Sequence, residues 1–388
     1  MSIIIYGDLF SFPEGSAATN RVYTYAKGFV ENGISVHVIC FTNDYLLEGT
    51  GTVNGIQYYN PYNQKQRNKH FIIRSWQKLL KYYNTYRIVK KINSKDKIIA
   101  INSWSNFIIT HIFGFLLTRL SAGKLIIECS EHPLRMYKGS FLKKMQGKIN
   151  FRLETFFSDG VFCISNFLID FYKSQGIDPK KLFLVPSTVD PERFKASAAK
   201  PVPFSYIGYF GSLTFQRDNI DLLIKAFSEF NKKYQDMHLI LGGLCTPEEK
   251  KNISNLVQQL NLDSKIHLLD FMSREKIIQY IMYADVLVMV RSNDNATQAS
   301  FPSKLSEFLA SSKPVITFNV GEISLYLADG KNAFFVDHGN INQLANKLEY
   351  VHNNPKIAYE VGQNGKYLTQ TIFNYKYQAD RMLEFITS

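Results

Sequence analysis

Residues 2–41 read SIIIYGDLFSFPEGSAATNRVYTYAKGFVENGISVHVICF, and the alternation within them decides the fold. Ser2 to Tyr6 is an apolar, β-branched run that suits a buried strand. Gly7 to Ser16, with Pro13 and Gly15, reads as a loop. From Ala17 to Asn32 the residues Val22, Tyr25, Ala26, Phe29 and Val30 fall on one face of a helix. Gly33 stops that helix, and Ser35 to Phe41 begins a second strand. Strand, helix and strand in this order form one βαβ unit.

The same alternation continues along the chain and predicts parallel sheets covered on both faces. Further strands are expected at Lys97 to Ile101, Lys124 to Cys129, Gly160 to Ile164 and Leu182 to Val185. A second series opens after Pro201, with strands at Phe204 to Phe210, His238 to Gly242, Ile266 to Leu269, Val286 to Val290 and Pro314 to Phe318. Helices are expected between them at Asn219 to Lys233 and Pro247 to Leu260. Pro191 to Pro203, PERFKASAAKPVP, separates the two series and reads as a linker. The expected domains are therefore residues 1–195 and 196–374. A chain of 388 residues is long enough for two such cores.

The chain carries 45 Lys and Arg against 33 Asp and Glu, a formal charge of +12. That excess favours anionic partners without choosing among nucleic acid, anionic lipid and phosphate-bearing substrates. Cys40, Cys129, Cys163 and Cys245 are unpaired in spacing and read as buried thiols in a reducing compartment. The N-terminus enters a strand at once, and the longest apolar run, Phe107 to Leu117, is too short to span a bilayer and reads as a core helix. A cytoplasmic location is expected, with peripheral contact at the inner face of the membrane left open.

Two segments of the first half mix cations with large apolar side chains. They are Lys65 to Lys95, KQRNKHFIIRSWQKLLKYYNTYRIVKKINSK, and Leu134 to Phe151, with Arg135, Lys138, Lys143, Lys144 and Lys148 around Phe141 and Met145. The first segment fits a solvated helix pair with snorkelling lysines, a surface for anionic lipid, or a single-strand nucleic-acid site. No recognisable nucleic-acid module accompanies it.

Chemistry concentrates in Phe301 to Ile316, FPSKLSEFLASSKPVI. Ser303 is placed to cap a helix, and the amides behind it form an anion site. Lys304 adds a mobile positive charge. Glu307, one turn on, lies on the same face and suits sugar hydroxyls. A phosphate cradle, a cation and a diol acceptor are what a nucleoside diphosphate requires.

This stretch resembles the donor motif of family-4 glycosyltransferases, retaining enzymes of the GT-B fold, in the branch reading Pro-Ser-Lys-Leu-x-Glu-Tyr/Phe-Leu-Ala. The resemblance extends to Ser158 to Phe194 and to Gly211 to Phe227, GSLTFQRDNIDLLIKAF. It extends also to Tyr283-Ala284-Asp285-Val286 and Asp329-Gly330-Lys331-Asn332. It implies an α/β protein of two Rossmann-like domains facing each other across a cleft, with the last helix, Tyr375 to Ile386, crossing back to the first. It implies a hexosyltransferase-type enzyme that moves a sugar from a nucleoside diphosphate sugar to a glycan or lipid-linked acceptor in bacterial cell-surface polysaccharide synthesis. No resident cofactor and no metal requirement are expected.

By the same resemblance, Glu307 holds the ribose, while Lys304 and Arg217 neutralise the departing diphosphate. Gly211, Ser212, Ser303 and Leu305 belong to the donor site, and the main chain from Leu269 to Phe271 faces the base. The loop with Gly15 approaches diphosphate and acceptor from the first domain. The chain departs from the pattern in places. Ala299 stands where many members have a first glutamate, Ser212 replaces a frequent Arg, and Arg217 the usual Lys. In Cys129-Ser130-Glu131-His132-Pro133, Ser130 occupies the place of a family histidine, which makes Glu131 and His132 catalytic candidates. Two other readings keep the same fold: a GT-B sugar-nucleotide epimerase, and a nucleotide-sugar-binding protein without transfer activity. A dehydrogenase is disfavoured because no strand is followed by Gly-x-Gly-x-x-Gly.

Overall fold

The computed structural model describes residues 1–42, 49–62, 69–137, 139–195, 199–270 and 272–388. Lys65, Arg67, Lys138 and Phe271 lie outside the described residues, as do residues 196–198 of the expected linker. The chain divides into two compact units, residues 1–188 with 375–388, and residues 189–374. The division falls at 188/189 rather than at 195/196. The Val189 amide already donates to the Phe373 carbonyl at 2.9 Å, and Phe194 is buried, so the start of the expected linker is part of the second unit.

The first unit runs β1 (Ser2–Gly7), α1 (Ala17–Glu31), β2 (Ser35–Cys40), β3 (Thr50–Val53), β4 (Ile56–Tyr59), α2 (Phe71–Asn93), β5 (Ile98–Trp104), α3 (Ile108–Ser121), β6 (Lys124–Cys129), α4 (Phe141–Phe157), β7 (Gly160–Cys163), α5 (Asn166–Ser174) and β8 (Leu182–Leu184). Its sheet has the order β3-β4-β2-β1-β5-β6-β7-β8. Every pairing is parallel except the β3–β4 hairpin. That hairpin has no place in the alternating βα pattern. Its turn, Asn54-Gly55, takes positive φ at both residues, which is what the Asn-Gly signal for a two-residue turn demands.

One face of the sheet packs on α1, the other on α2 and α3. The described part of the Lys65 to Lys95 segment is one 23-residue helix and not a helix pair. The expected core helix at Phe107 to Leu117 is α3, yet Phe107, Ile109 and Leu116 are exposed. Core-like composition does not place that helix inside. Cys40, Cys129 and Cys163 are buried free thiols, whereas Cys245 is only partly covered.

The second unit runs β9 (Tyr206–Phe210), α6 (Phe215–Asp218), α7 (Ile220–Asn231), β10 (His238–Gly242), α8 (Pro247–Gln259), β11 (Ile266–Leu269), α9 (Arg274–Tyr283), β12 (Val286–Met289), α10 (Asn295–Gln298), α11 (Ser303–Ala310), β13 (Val315–Phe318), α12 (Ile323–Tyr326), β14 (Phe334–Val336), α13 (Ile341–Asn353) and α14 (Pro355–Gln370). Its sheet is wholly parallel, in the order β11-β10-β9-β12-β13-β14. The last helix, α15 (Tyr375–Thr387), belongs to the first unit. There Tyr375 Oη donates to Glu31 at 2.7 Å and Asn32 donates to Asp380 at 2.7 Å.

Arg21 of α1 ties the first unit together. Its guanidinium donates to Glu128 of β6 at 2.7 Å and to the carbonyls of Val185 and Pro186 at 2.6 and 2.7 Å. Both charged side chains are buried. A buried charge that loses its partner keeps the desolvation cost without the compensating attraction. Arg21→Ala is therefore expected to lower stability by about 3–5 kcal/mol in urea unfolding, while an exposed control such as Lys90→Ala changes it by less than about 0.5 kcal/mol.

Candidate donor site

In the second sheet, successive strands run outward from β9 to β10 and β11, and then, from β12, in the opposite direction. Loops at the carboxyl ends of β9 and β12 therefore diverge, and a crevice opens between them where doubly wound sheets bind ligands. Gly211 follows β9, Arg291 follows β12, and α11 begins twelve residues later. The fold thus delivers three separated segments to one edge.

The loop after β9 is fixed by its own polar groups. The Gly211 amide donates to the Gly242 carbonyl at 2.8 Å. Thr214 caps the short α6, accepting from the amides of Arg217 and Asp218 and donating to the Asp218 carboxylate at 2.9 Å. Arg217 lies on this helix, and its carbonyl accepts from the Ser292 amide at 2.8 Å. That bond ties α6 to the chain leaving β12.

Lys304, on the first turn of α11, extends across Gly211, where a Cβ would overlap the end of the lysine side chain. Its ammonium donates to Tyr209 Oη at 3.3 Å and lies 3.7 Å from the Asp218 carboxylate. Tyr209 Oη in turn donates to the Ser212 carbonyl at 3.0 Å. Burial lowers the Lys304 pKa to about 8; Asp218 opposes that shift, and Arg291 and Arg217 add to it. Arg291 is buried and donates to Ser300 Oγ at 3.1 Å. Burial, and next the charge of Arg217, lower its pKa in turn. Three cations thus crowd one buried carboxylate, an arrangement that an incoming anion relieves.

Arg291 is the cation that sequence reading missed. Its signal was present, an arginine directly after an apolar strand, but nothing in the spacing ties it to Lys304.

Glu307, one turn past Lys304, is buried, and both its oxygens accept from the Arg274 guanidinium at the start of α9. A carboxylate offers about four lone-pair positions, so the pair fixes the orientation of the acid and leaves acceptor capacity over. Ser303 does not cap α11. Pro302 is the capping residue and has no side chain to do so, and Ser303 is the first helical residue. The Pro-Ser pair shifts the helix start by one position. Leu305 is fully buried and anchors α11 to the core. Leu269 ends β11, and its carbonyl accepts from the Gly243 amide at 3.5 Å. Ala299 is fully buried at the end of α10.

The remaining candidates lie in the first unit. Glu131 is exposed and pairs with Arg135 at 2.7 Å. His132 packs its ring 4.5 Å from that of Phe171, and its Nδ1 accepts from the Leu134 amide at 3.2 Å. Ser130 Oγ donates to Glu128 at 2.6 Å, next to Arg21. Gly15 has φ +157°, and a Cβ there would overlap the hydroxyls of Ser11 and Thr19. Gly15, Glu131 and His132 all follow the carboxyl ends of strands of one parallel sheet. Among the described residues, no group of three or more His, Cys, Asp and Glu is arranged to hold a metal ion.

Comparison with known proteins follows this division of the chain. Residues 18–193 match the family model Glycosyltransferase Family 4. Residues 190–367 match that of Glycosyl transferases group 1. An uncharacterized glycosyltransferase of Methanocaldococcus jannaschii is 25% identical over 285 residues, covering 73% of this chain and 74% of the relative. Among solved structures, Anabaena HepE in complex with UDP and glucose superposes with a TM-score of 0.74 at 15% identity, over 99% of both chains. Sucrose-phosphate synthase from Thermosynechococcus elongatus gives 0.73 at 16% identity, over 100% of this chain and 98% of its own. The fold is GT-B.

Two outcomes follow from the Lys304 contacts. Loss of its proton removes a cation, so kcat/KM for the donor should fall as pH rises through about 8, and Lys304→Arg should abolish that limb of the pH–rate profile. Gly211→Ala should displace the ammonium and lower kcat/KM for the donor by about 10–100-fold. Because only the flexible end of a side chain must move, its melting temperature should stay near that of the wild type.

Proposed function

We propose that this chain, a glycosyltransferase of the group 1 type built on the GT-B fold, transfers a sugar from a nucleoside diphosphate sugar to a hydroxyl of a glycan or lipid-linked acceptor. The observation that carries this reading is the cation cluster of Lys304, Arg217 and Arg291 over the glycine turn at Gly211. Cleavage of the anomeric C–O bond leaves new charge on the β-phosphate. Fixed cations and helix-start amides aimed at that oxygen stabilise the transition state without having to reorganise. Glu307 takes the ribose diol, with Arg274 as its positioning residue. Leu269 and its neighbours line the base. Gly15, Glu131 and His132 are assigned to the acceptor side.

The anomeric C–O bond to the β-phosphate breaks and the nucleoside diphosphate leaves, while the acceptor oxygen forms the new bond to the sugar on the same face and gives its proton to the departing phosphate, retaining the anomeric configuration. Uridine diphosphate sugars are the first donors to test, since the HepE structure holds UDP and glucose. A role in cell-surface polymer synthesis is supported by one relative, the poly(ribitol-phosphate) α-N-acetylglucosaminyltransferase of Staphylococcus aureus, 23% identical over 60% of this chain and 40% of its own length.

A panel of nucleoside diphosphate sugars, read by melting temperature and by slow donor hydrolysis, tests the proposal. One donor should raise the melting temperature through binding to the folded state and should be hydrolysed with release of the nucleoside diphosphate. Binding without hydrolysis or transfer to any acceptor extract would instead support a binding protein. Replacing Glu307 with Ala should raise the KM for donor about tenfold or more. Arg274→Ala should raise it less and weaken the preference for ribose over 2′-deoxyribose donors, since a carboxylate left without its guanidinium loses its orientation.

A further inference from the structure

The three helices α2, α3 and α4 lie side by side. The ring of Tyr82 is 4.9 Å from that of Phe113, and that of Phe115 is 4.9 Å from that of Phe157. On an ordinary covering helix the apolar stripe faces the sheet and the polar stripe faces water. Much of this layer is inverted. On α2, Gln77, Lys81 and Thr85 are buried at i, i+4 and i+8. Ile72, Trp76, Leu79 and Tyr83 occupy the opposite side and are 58–69% exposed.

The pattern repeats on the neighbours. Thr110, His111, Thr118 and Ser121 of α3 are buried while Ile109, Leu116 and Leu120 face out. On α4, Gly147 and Thr155 are buried with Phe151, while Leu142, Met145, Ile149, Leu153 and Phe156 face out. Of the 28 large apolar side chains exposed among the described residues, 18 fall between Phe71 and Phe156. One such stripe on a surface is unremarkable, but three adjacent ones form a contiguous apolar patch of the kind that marks an interaction surface.

The charge of the layer says what covers it. The three helices hold eleven Lys and Arg and a single acid, Glu154, which is itself turned toward His111 at 3.9 Å. Exposed Lys78, Arg87, Lys90 and Lys91 flank the α2 stripe, and exposed Lys143, Lys144 and Lys148 interleave with that of α4. A second copy of the chain laid on this face would set the outward cations of one copy against those of the other. Single-stranded nucleic acid would use the aromatics but leave the aliphatic stripes of α3 and α4 in water. No helix among the described residues is long and apolar enough to cross a bilayer, so the layer suits a position in the interface plane.

We propose that the outer face of α2, α3 and α4 docks this protein on an anionic lipid surface. The apolar stripes enter the boundary between headgroups and acyl chains, and the lysines and arginines meet the headgroups. This inference stands apart from the donor chemistry, because none of these residues belongs to the Lys304 site. It places the enzyme at the surface where a lipid-linked acceptor is found.

The full chain is tested by co-sedimentation with vesicles of phosphatidylcholine alone and with one third phosphatidylglycerol. Binding should be at least about tenfold stronger to the anionic vesicles and should weaken with salt. The double variant Leu79→Glu with Ile149→Glu, and the triple variant of Lys143, Lys144 and Lys148 to Gln, should each reduce that binding about tenfold. Donor hydrolysis in solution and melting temperature should not change. Equal binding to both vesicle types, or none, overturns the proposal on the wild type alone. So does sedimentation showing a stable dimer that Leu79→Glu with Ile149→Glu dissociates, which would make the face an interface between copies.

Discussion

Everything in the second unit that bears on chemistry depends on one electrostatic constraint. Lys304, Arg217 and Arg291 are held around the buried carboxylate of Asp218, and burial already pulls Lys304 to a pKa of about 8. Three cations close to a single anion repel one another in a poorly solvated place. The scaffold supplies the restraint. Thr214 caps the helix carrying Arg217 and Asp218, the Ser292 amide ties that helix to the end of β12, and the absence of a side chain at Gly211 gives Lys304 room to cross. On the proposed reading a diphosphate supplies the missing negative charge, and its leaving oxygen gains more of that charge during reaction than it had before. Stability given up in the empty site thus becomes affinity for the departing group.

The same restraint explains why the site lies at a reversal of strand order. A turn at the end of β9 and a chain leaving β12 diverge there, so backbone amides and side chains converge on a gap that neither helix layer fills. Glu307 extends the arrangement by one helical turn, and its pairing with Arg274 holds it in one orientation.

Much of this was legible in the sequence. The βαβ alternation placed strands such as Lys124–Cys129 and Ile266–Leu269 at the residues observed, because apolar runs of four to six residues between helical periods leave little freedom of register. Lys304 and Glu307 were legible because one motif, Phe301 to Ile316, spaces cation and acid, and Gly211 because a second stretch, Gly211 to Phe227, carries the glycine turn. Arg291, Arg274 and Asp218 were not, since each meets the site through tertiary contact from a different segment. The capping role expected of Ser303 passed to Pro302, a one-residue shift of the kind sequence patterns leave open. The apolar run at Phe107 to Leu117 misled in a more informative way. Hydrophobic periodicity reports which residues share a face but not whether that face meets a sheet, and α3 divides its apolar residues, with Leu117 in the core and Ile109 and Leu116 exposed.

The central claim concerns the charge of one lysine, so the most direct measurement is the titration of Lys304 itself. With lysines carrying ¹³C-methyl groups, its resonance is identified by its loss in Lys304→Arg, and its pKa is followed with and without a nucleoside diphosphate. In the empty protein the midpoint should lie near 8, and saturating nucleoside diphosphate should move it up by more than about one unit, as an adjacent anion requires. An unperturbed midpoint near 10.4 in the empty protein, or one that nucleoside diphosphate leaves in place, would contradict the account.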